Sequence, residues 1–202
     1  MKRFIVPVLV LASFIITTPA FAQEGPAGAG RAEITLIPGG AVLFTENTDV
    51  SAPSFGNYQF GGAVAYNINR FVGIEGEVGS SVGMSQSLDF GYSNSTRTPD
   101  TLSYSGNVVL SVPSGSSVVP YVTGGVGGLS LFSREALGIN DTETLFTSNV
   151  GAGVKWYAGR WGLRGDYRFI AVPSRNETSP FFGTENRYGH RVYGAVLINV
   201  GR

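Results

Sequence analysis

Between Trp161 and Ile170 the chain reads WGLRGDYRFI, with Arg164, Asp166 and Arg168 two residues apart and Leu163, Tyr167 and Phe169 in the gaps. A strand sends alternate side chains to opposite faces, so this stretch predicts one ionic face and one apolar face. Similar alternation recurs in eight runs, at about 31–45, 57–66, 71–80, 101–112, 118–132, 144–157, 161–170 and 187–200, separated by Gly, Pro, Asn and Ser clusters. No segment sustains a helical period between a start and a stop signal, which points to an all-β chain. The joins NINR, PSGSS and AGR are tight, whereas those near 46–56, 81–100, 133–143 and 171–186 are long and polar. Tight turns at one end, long loops at the other and an even strand count predict an eight-stranded antiparallel up-and-down transmembrane β-barrel, with the short turns toward the periplasm.

Parity assigns the faces. The even positions Val72, Ile74 and Val78, Val108 and Leu110, Val122 and Val126, Val150 and Val154, and Val192, Val196 and Val200 carry no charge. The opposite parity holds Glu75, Glu77, Asn107, Thr123, Asn149, Lys155 and Arg191. A soluble, lipocalin-like barrel with an apolar interior would alternate in the same way, so the aromatics have to decide. On the uncharged face Tyr66, Trp156 and Trp161 fall at the short-turn ends, and Phe44, Tyr58, Tyr104, Phe132, Phe146 and Tyr188 at the long-loop ends. Two girdles eight to ten residues apart span roughly 19–23 Å for tilted strands, close to the apolar band of an outer-membrane barrel. These nine aromatics are therefore expected at the lipid interfaces, and Arg164, Asp166 and Arg168 in the interior.

Composition changes the picture in two ways. Lys2 and Arg3 precede the apolar run FIVPVLVLASFII and a small-residue AFA ending at Ala22, which reads as a secretory signal peptide over 1–22. A flexible segment over 23–30 and a barrel domain over 31–202 are expected after it. Without Lys2 and Arg3 the chain holds 12 basic and 14 acidic side chains, a formal charge of −2 that as a whole gives nucleic acid or an anionic surface nothing to hold. There is no cysteine, hence no disulfide and no thiolate metal site. Only 14% of residues are charged, and Lys155 is the sole lysine after the signal, so something other than water is expected to cover much of the exterior.

The stretches NRFVGIEGEVG, PYVTGGVGG and GAGVKWYAGRWGLRGDYRF resemble strands of the small outer-membrane β-barrel family, which includes the transmembrane domain of outer membrane protein A and the opacity-type surface proteins. The resemblance covers nearly all of the chain after the signal, through Gly, aromatic and alternating patterns that identify an architecture better than a task. It implies an interior network of opposed charges, with Glu75 as the interior acid of the third strand and Arg164 as the interior arginine of the seventh. Lys155 stands where outer membrane protein A has an acid, so the second family pair is not preserved in its usual sense, and Glu77 or Asp166 is the expected compensation. The family ends its last strand on an aromatic residue read by the outer-membrane assembly machinery, whereas this chain ends INVGR. The resemblance also implies outer-membrane lipids and lipopolysaccharide as surroundings, and no anchoring role of the kind longer relatives draw from an appended peptidoglycan-binding domain.

The candidate chemistry is mostly structural. Eight strands close a barrel just wide enough for side chains to fill. Glu75, Glu77, Lys155, Arg164, Asp166 and Arg168 therefore read as a structural ion cluster, with Glu75, Lys155 and Arg164 nearer the periplasmic end and Gly73, Gly79, Gly125, Gly127, Gly151 and Gly153 making room. A gated ion path would need a continuous file of water. His190 is the only histidine, it lies on the lipid-facing parity near the outer interface, and position 192 is Val. A lipid A-modifying barrel enzyme thus has no readable Ser, His and acid cluster, and no catalytic residue, cofactor or metal ligand is expected. GGVGG lacks the spacing and following helix of a phosphate loop. Function is expected to reside in a structural, envelope-stabilising or surface-binding role, with any ligand met by the long loops and their aromatics Phe90, Tyr92, Phe181 and Phe182.

Overall fold

The structure, a computed structural model, describes residues 31–45, 54–89, 93–113, 115–132, 142–174, 182 and 184–200. The expectations for 1–30, for Phe90, Tyr92 and Phe181 and for the last two residues lie outside these. Among the described residues are ten strands: β1 (Ala32–Phe44), β2 (Phe55–Asn67), β3 (Val72–Val82), β4 (Ser85–Asp89), β5 (Ser93–Arg97), β6 (Thr101–Ser111), β7 (Val118–Leu131), β8 (Glu143–Ala158), β9 (Trp161–Val172) and β10 (Arg187–Val200). Eight of them close an antiparallel barrel in the order β1-β10-β9-β8-β7-β6-β3-β2, with β2 paired back to β1. Closure leaves no strand edge unpaired, the condition for β-structure inside a membrane. The remaining two form a hairpin within the stretch read from sequence as a plain polar loop over 81–100.

The short-turn end is tightly built. Gly159 adopts φ +67 at the first position of the two-residue turn joining β8 to β9, which only glycine reaches without strain. The β2–β3 turn is held by Asn69, whose Oδ1 accepts from the N–H groups of Phe71 and Val72 at 2.8 and 2.9 Å.

The wall is inside-out relative to a soluble protein. Ile74, Val108, Val122, Val150, Leu163 and Val192 are exposed on the exterior, while Glu75, Asn107, Thr123, Lys155, Arg164 and Arg191 are buried in the interior. Tyr58, Tyr66, Tyr104, Phe132, Phe146, Trp156, Trp161 and Tyr188 all point outward. Phe44 does not: it is 1% exposed and lies in the lumen. The register of β1 shifts against both neighbours across Pro38 to Gly40, a β-bulge that inserts one residue and exchanges the faces. Interior positions of β1 are accordingly Glu33, Thr35 and Ile37 below the bulge and Val42 and Phe44 above it.

Candidate functional site

The lumen is filled in layers. Nearest the short turns, Lys155 on β8 donates through Nζ to Glu33 Oε2 at 2.6 Å. The other oxygen of Glu33 accepts from Tyr157 Oη at 2.8 Å and Asn67 Nδ2 at 3.0 Å. Glu33 was not singled out from the sequence, and neither Glu77 nor Asp166 takes the compensating place beside Lys155. The available signal was parity alone, since Glu33 alternates with Ile34 and Leu36 as Glu75 alternates with Ile74 and Gly76.

Above it lies the main network. Arg164 pairs with Glu75 through Nη1, with Asp166 through Nη2 at 2.7 Å, and donates Nε to Tyr121 Oη at 2.7 Å. Tyr121 in turn donates to Asp166. Arg168 reaches three carboxylates: Glu75 at 2.7 Å, Asp166 at 3.0 Å and Glu77 at 3.2 Å. Glu77 also accepts from Arg191 at 2.5 Å and from Tyr193 Oη at 3.1 Å. All six of the sequence-selected charges are thus inside, and five of them share one network, with Lys155 in the separate layer beneath. Four carboxylates face Lys155, Arg164, Arg168 and Arg191, so these two layers are charge-balanced. The balance is needed, because desolvating an ion costs several kcal/mol unless it is paired and hydrogen-bonded.

Cross-strand register explains the geometry. Lys155 lies opposite Arg164, and Arg168 opposite Arg191, pairs of like charge that would repel if left alone. Glu33 draws Lys155 one way and Glu75 draws Arg164 the other, while Glu77 sits between Arg168 and Arg191. Gly151 faces Arg168, and a Cβ there would approach Arg168 Cγ to 2.8 Å. The rings of Tyr121 and Tyr193 lie against the Arg164 guanidinium at 5.0 and 5.6 Å, a contact that favours the cation.

Over the ions is a small cavity with about 40 Å³ of room for water centres, bounded by the polar Gln59, Glu77, Ser103, Ser105, Asn149 and Arg191 and by the apolar Val42, Phe44, Leu129 and Ile170. That volume suits about two or three waters. Gln59 Nε2 and Arg191 Nε have no protein partner among the described residues. The barrel mouth above is closed by apolar groups: Phe44, Phe55, Leu131 and Leu145 from the wall, Leu88 from β4, and Phe182 from the β9–β10 connection. The ring of Phe182 meets Phe44 edge-on at 4.9 Å and Phe55 at 6.0 Å. Paired bonds between Gln86 and Gly56, at 2.6 and 3.1 Å, tie the β4–β5 hairpin to β2. On the exterior His190 meets Tyr167 Oη through Nδ1 at 2.7 Å, so its described partner is a phenol and not a carboxylate.

A closed, fully antiparallel eight-stranded barrel with an apolar outer wall and an ionic interior is a transmembrane barrel of the outer-membrane type. The chain belongs to the outer membrane protein beta-barrel domain family, whose model matches residues 8–190. It is a protein of the Gram-negative outer membrane. Among solved structures it is similar to Neisserial surface protein A (NspA), at 14% identity and TM-score 0.61, covering 88% of this chain and 100% of that one. It is also similar to the outer membrane protein OprG from Pseudomonas aeruginosa, at 12% identity and TM-score 0.52, with the same coverage. At these identities the likeness shows the fold. No curated protein sequence matches the chain.

Proposed function

We propose that this barrel is a non-conducting, non-catalytic scaffold of the outer membrane, whose ionic cluster is structural and whose task is envelope support or binding of a surface ligand by its long connections. The observation that carries the reading is that the lumen is blocked twice in succession. Arg164 and Arg168 are locked to Glu75 and Asp166 across the middle, and a separate apolar layer around Phe44, Phe55 and Phe182 fills the mouth. An ion path would have to break multiply bonded pairs and then cross a mouth filled mostly by apolar side chains, where the buried Arg187 guanidinium lies 5.7 and 5.6 Å from the rings of Phe55 and Phe182. The outward aromatics, from Tyr66 and Trp161 at the short-turn end to Tyr58 and Phe146 at the other, serve as the two interfacial girdles in this reading.

Single-channel recording of the refolded protein in planar bilayers tests it. Steps should be absent in the native barrel, and a steady ohmic conductance would end the scaffold reading. The mass spectrum of lipid A should be unchanged by overexpression, since His190 is engaged by Tyr167. Loss of acyl chains that disappears in His190→Ala would favour an enzyme instead.

A further inference from the structure

We propose that the short-turn rim is a binding surface for net-anionic phospholipid headgroups in the leaflet that surrounds it. Three arginines stand on that rim: Arg31 at the foot of β1, Arg70 in the β2–β3 turn and Arg160 in the β8–β9 turn. None of them pairs with a carboxylate among the described residues. Among the described residues the rim shows no exposed acid, because Glu33 is buried and bound to Lys155, so the rim is locally basic although the formal charge after the signal is −2. By contrast Asp100, Glu143 and Glu185 belong to the long-loop end, where Arg97 is already paired with Asp100.

Placement makes these cations a surface rather than scattered charges. The carbonyl of Arg31 accepts from Asn67 N–H at 2.9 Å and that of Arg160 from Asn199 N–H at 2.8 Å, which fixes both backbones to the barrel. Arg70 is held in the turn organised by Asn69. In barrel order the three lie at β1, at β2–β3 and at β8–β9, leaving only the β6–β7 turn of the rim without charge.

Two of the guanidiniums adjoin an outward aromatic, and the third arginine precedes one in the chain, at the level where the apolar wall ends. Arg31 donates Nε to Tyr66 Oη at 3.0 Å, Arg70 lies 4.7 Å from the ring of Phe71, and Arg160 precedes Trp161. Aromatic side chains mark the headgroup depth of a bilayer, and a guanidinium at that depth meets phosphate oxygens with a fork of donors that fits them. Attraction of a basic side chain to an anionic leaflet corresponds to about a fivefold change in association per arginine at low salt.

The experiment is electron spin resonance of the barrel reconstituted in phosphatidylcholine bilayers, comparing spin-labelled phosphatidylglycerol with spin-labelled phosphatidylcholine at the protein surface. Native protein should select the phosphatidylglycerol probe several-fold at low salt, and the preference should shrink at high salt as the charges are screened. Arg70→Gln should lower it, and the combined change of Arg31, Arg70 and Arg160 to Gln should abolish it. Folding of each variant is checked by its heat-dependent gel mobility, and Arg97→Gln at the opposite end should leave the preference intact. Equal association of the two probes with the native protein would overturn the proposal, as would a preference that survives Arg70→Gln unchanged or falls as far in Arg97→Gln.

Discussion

Arg168 and Phe182 are both sealed inside the same barrel, yet what holds them differs in kind. Arg168 sits on β9, paired on both sides, and its guanidinium is fixed by three carboxylates from two strands. Phe182 comes from a connecting segment and is held mainly by apolar area, against Phe44, Phe55 and their neighbours, with the Arg187 guanidinium 5.6 Å from its ring. The ionic layer is directional, so a missing partner leaves a buried charge stranded. The apolar layer has far less orientation to satisfy, and a missing aliphatic group leaves a gap that neighbours or water can enter from the mouth. The first layer should therefore be brittle and the second forgiving.

The largest test of that contrast is Arg168→Ala. It leaves Glu75, Glu77 and Asp166 short of a cation and should cost about 3–5 kcal/mol, read from the urea midpoint of the barrel refolded in lipid. A loss no greater than that of a surface change would show the network to be hydrated. Lys155→Met comes next, at about 3 kcal/mol, because Glu33 is then buried without its cation. Adding Glu33→Gln should recover most of that loss, and a double variant as unstable as the single would mean that Lys155 acts through packing. In the cap, Leu131→Ala should cost about 2–3 kcal/mol, the low part of the range for a core leucine, since the mouth can close over the gap. A cost above that of Arg168→Ala would reverse the comparison. Arg97→Ala, which breaks the exposed pair with Asp100, should change stability by about 1 kcal/mol or less. Calorimetry in the same lipid checks it, and a larger loss would make the β4–β5 hairpin part of the cooperative barrel.

The eight barrel strands and the two faces of β9 were legible in the sequence because alternation is a one-dimensional signal and the membrane enforces it over whole strands. Glu75, Glu77, Arg164, Asp166 and Arg168 stood out for the same reason. What the pattern left hidden depends on three dimensions. The tie from Glu33 to Lys155 crosses from β1 to β8, which are not neighbours in the barrel. Leu88 reaches the mouth from a connection that reads as polar, and Phe182, expected among the loop aromatics that would meet a ligand, is instead buried in the mouth. The β4–β5 hairpin, SQSLD and SNSTR, pairs through its backbone without an apolar face to announce it. Phe44 was misplaced by a rule that holds for every strand but its own, because PGG at 38–40 inserts a residue before it is reached.

That insertion makes β1 behave like a text with a shifted reading frame. Deleting Gly39 would restore strict alternation and leave everything downstream in the strand on its native page: Val42 and Phe44 would stay in the lumen, opposite Arg191 and Gly189, and Leu43 would stay turned to lipid. The lower half, with Glu33 and Thr35, would be unchanged. Among the described barrel strands only β1 shifts register against its neighbours, so a one-residue deletion there is the single such edit that corrects a frame instead of breaking one, and it does so at the seam where the first strand meets the last.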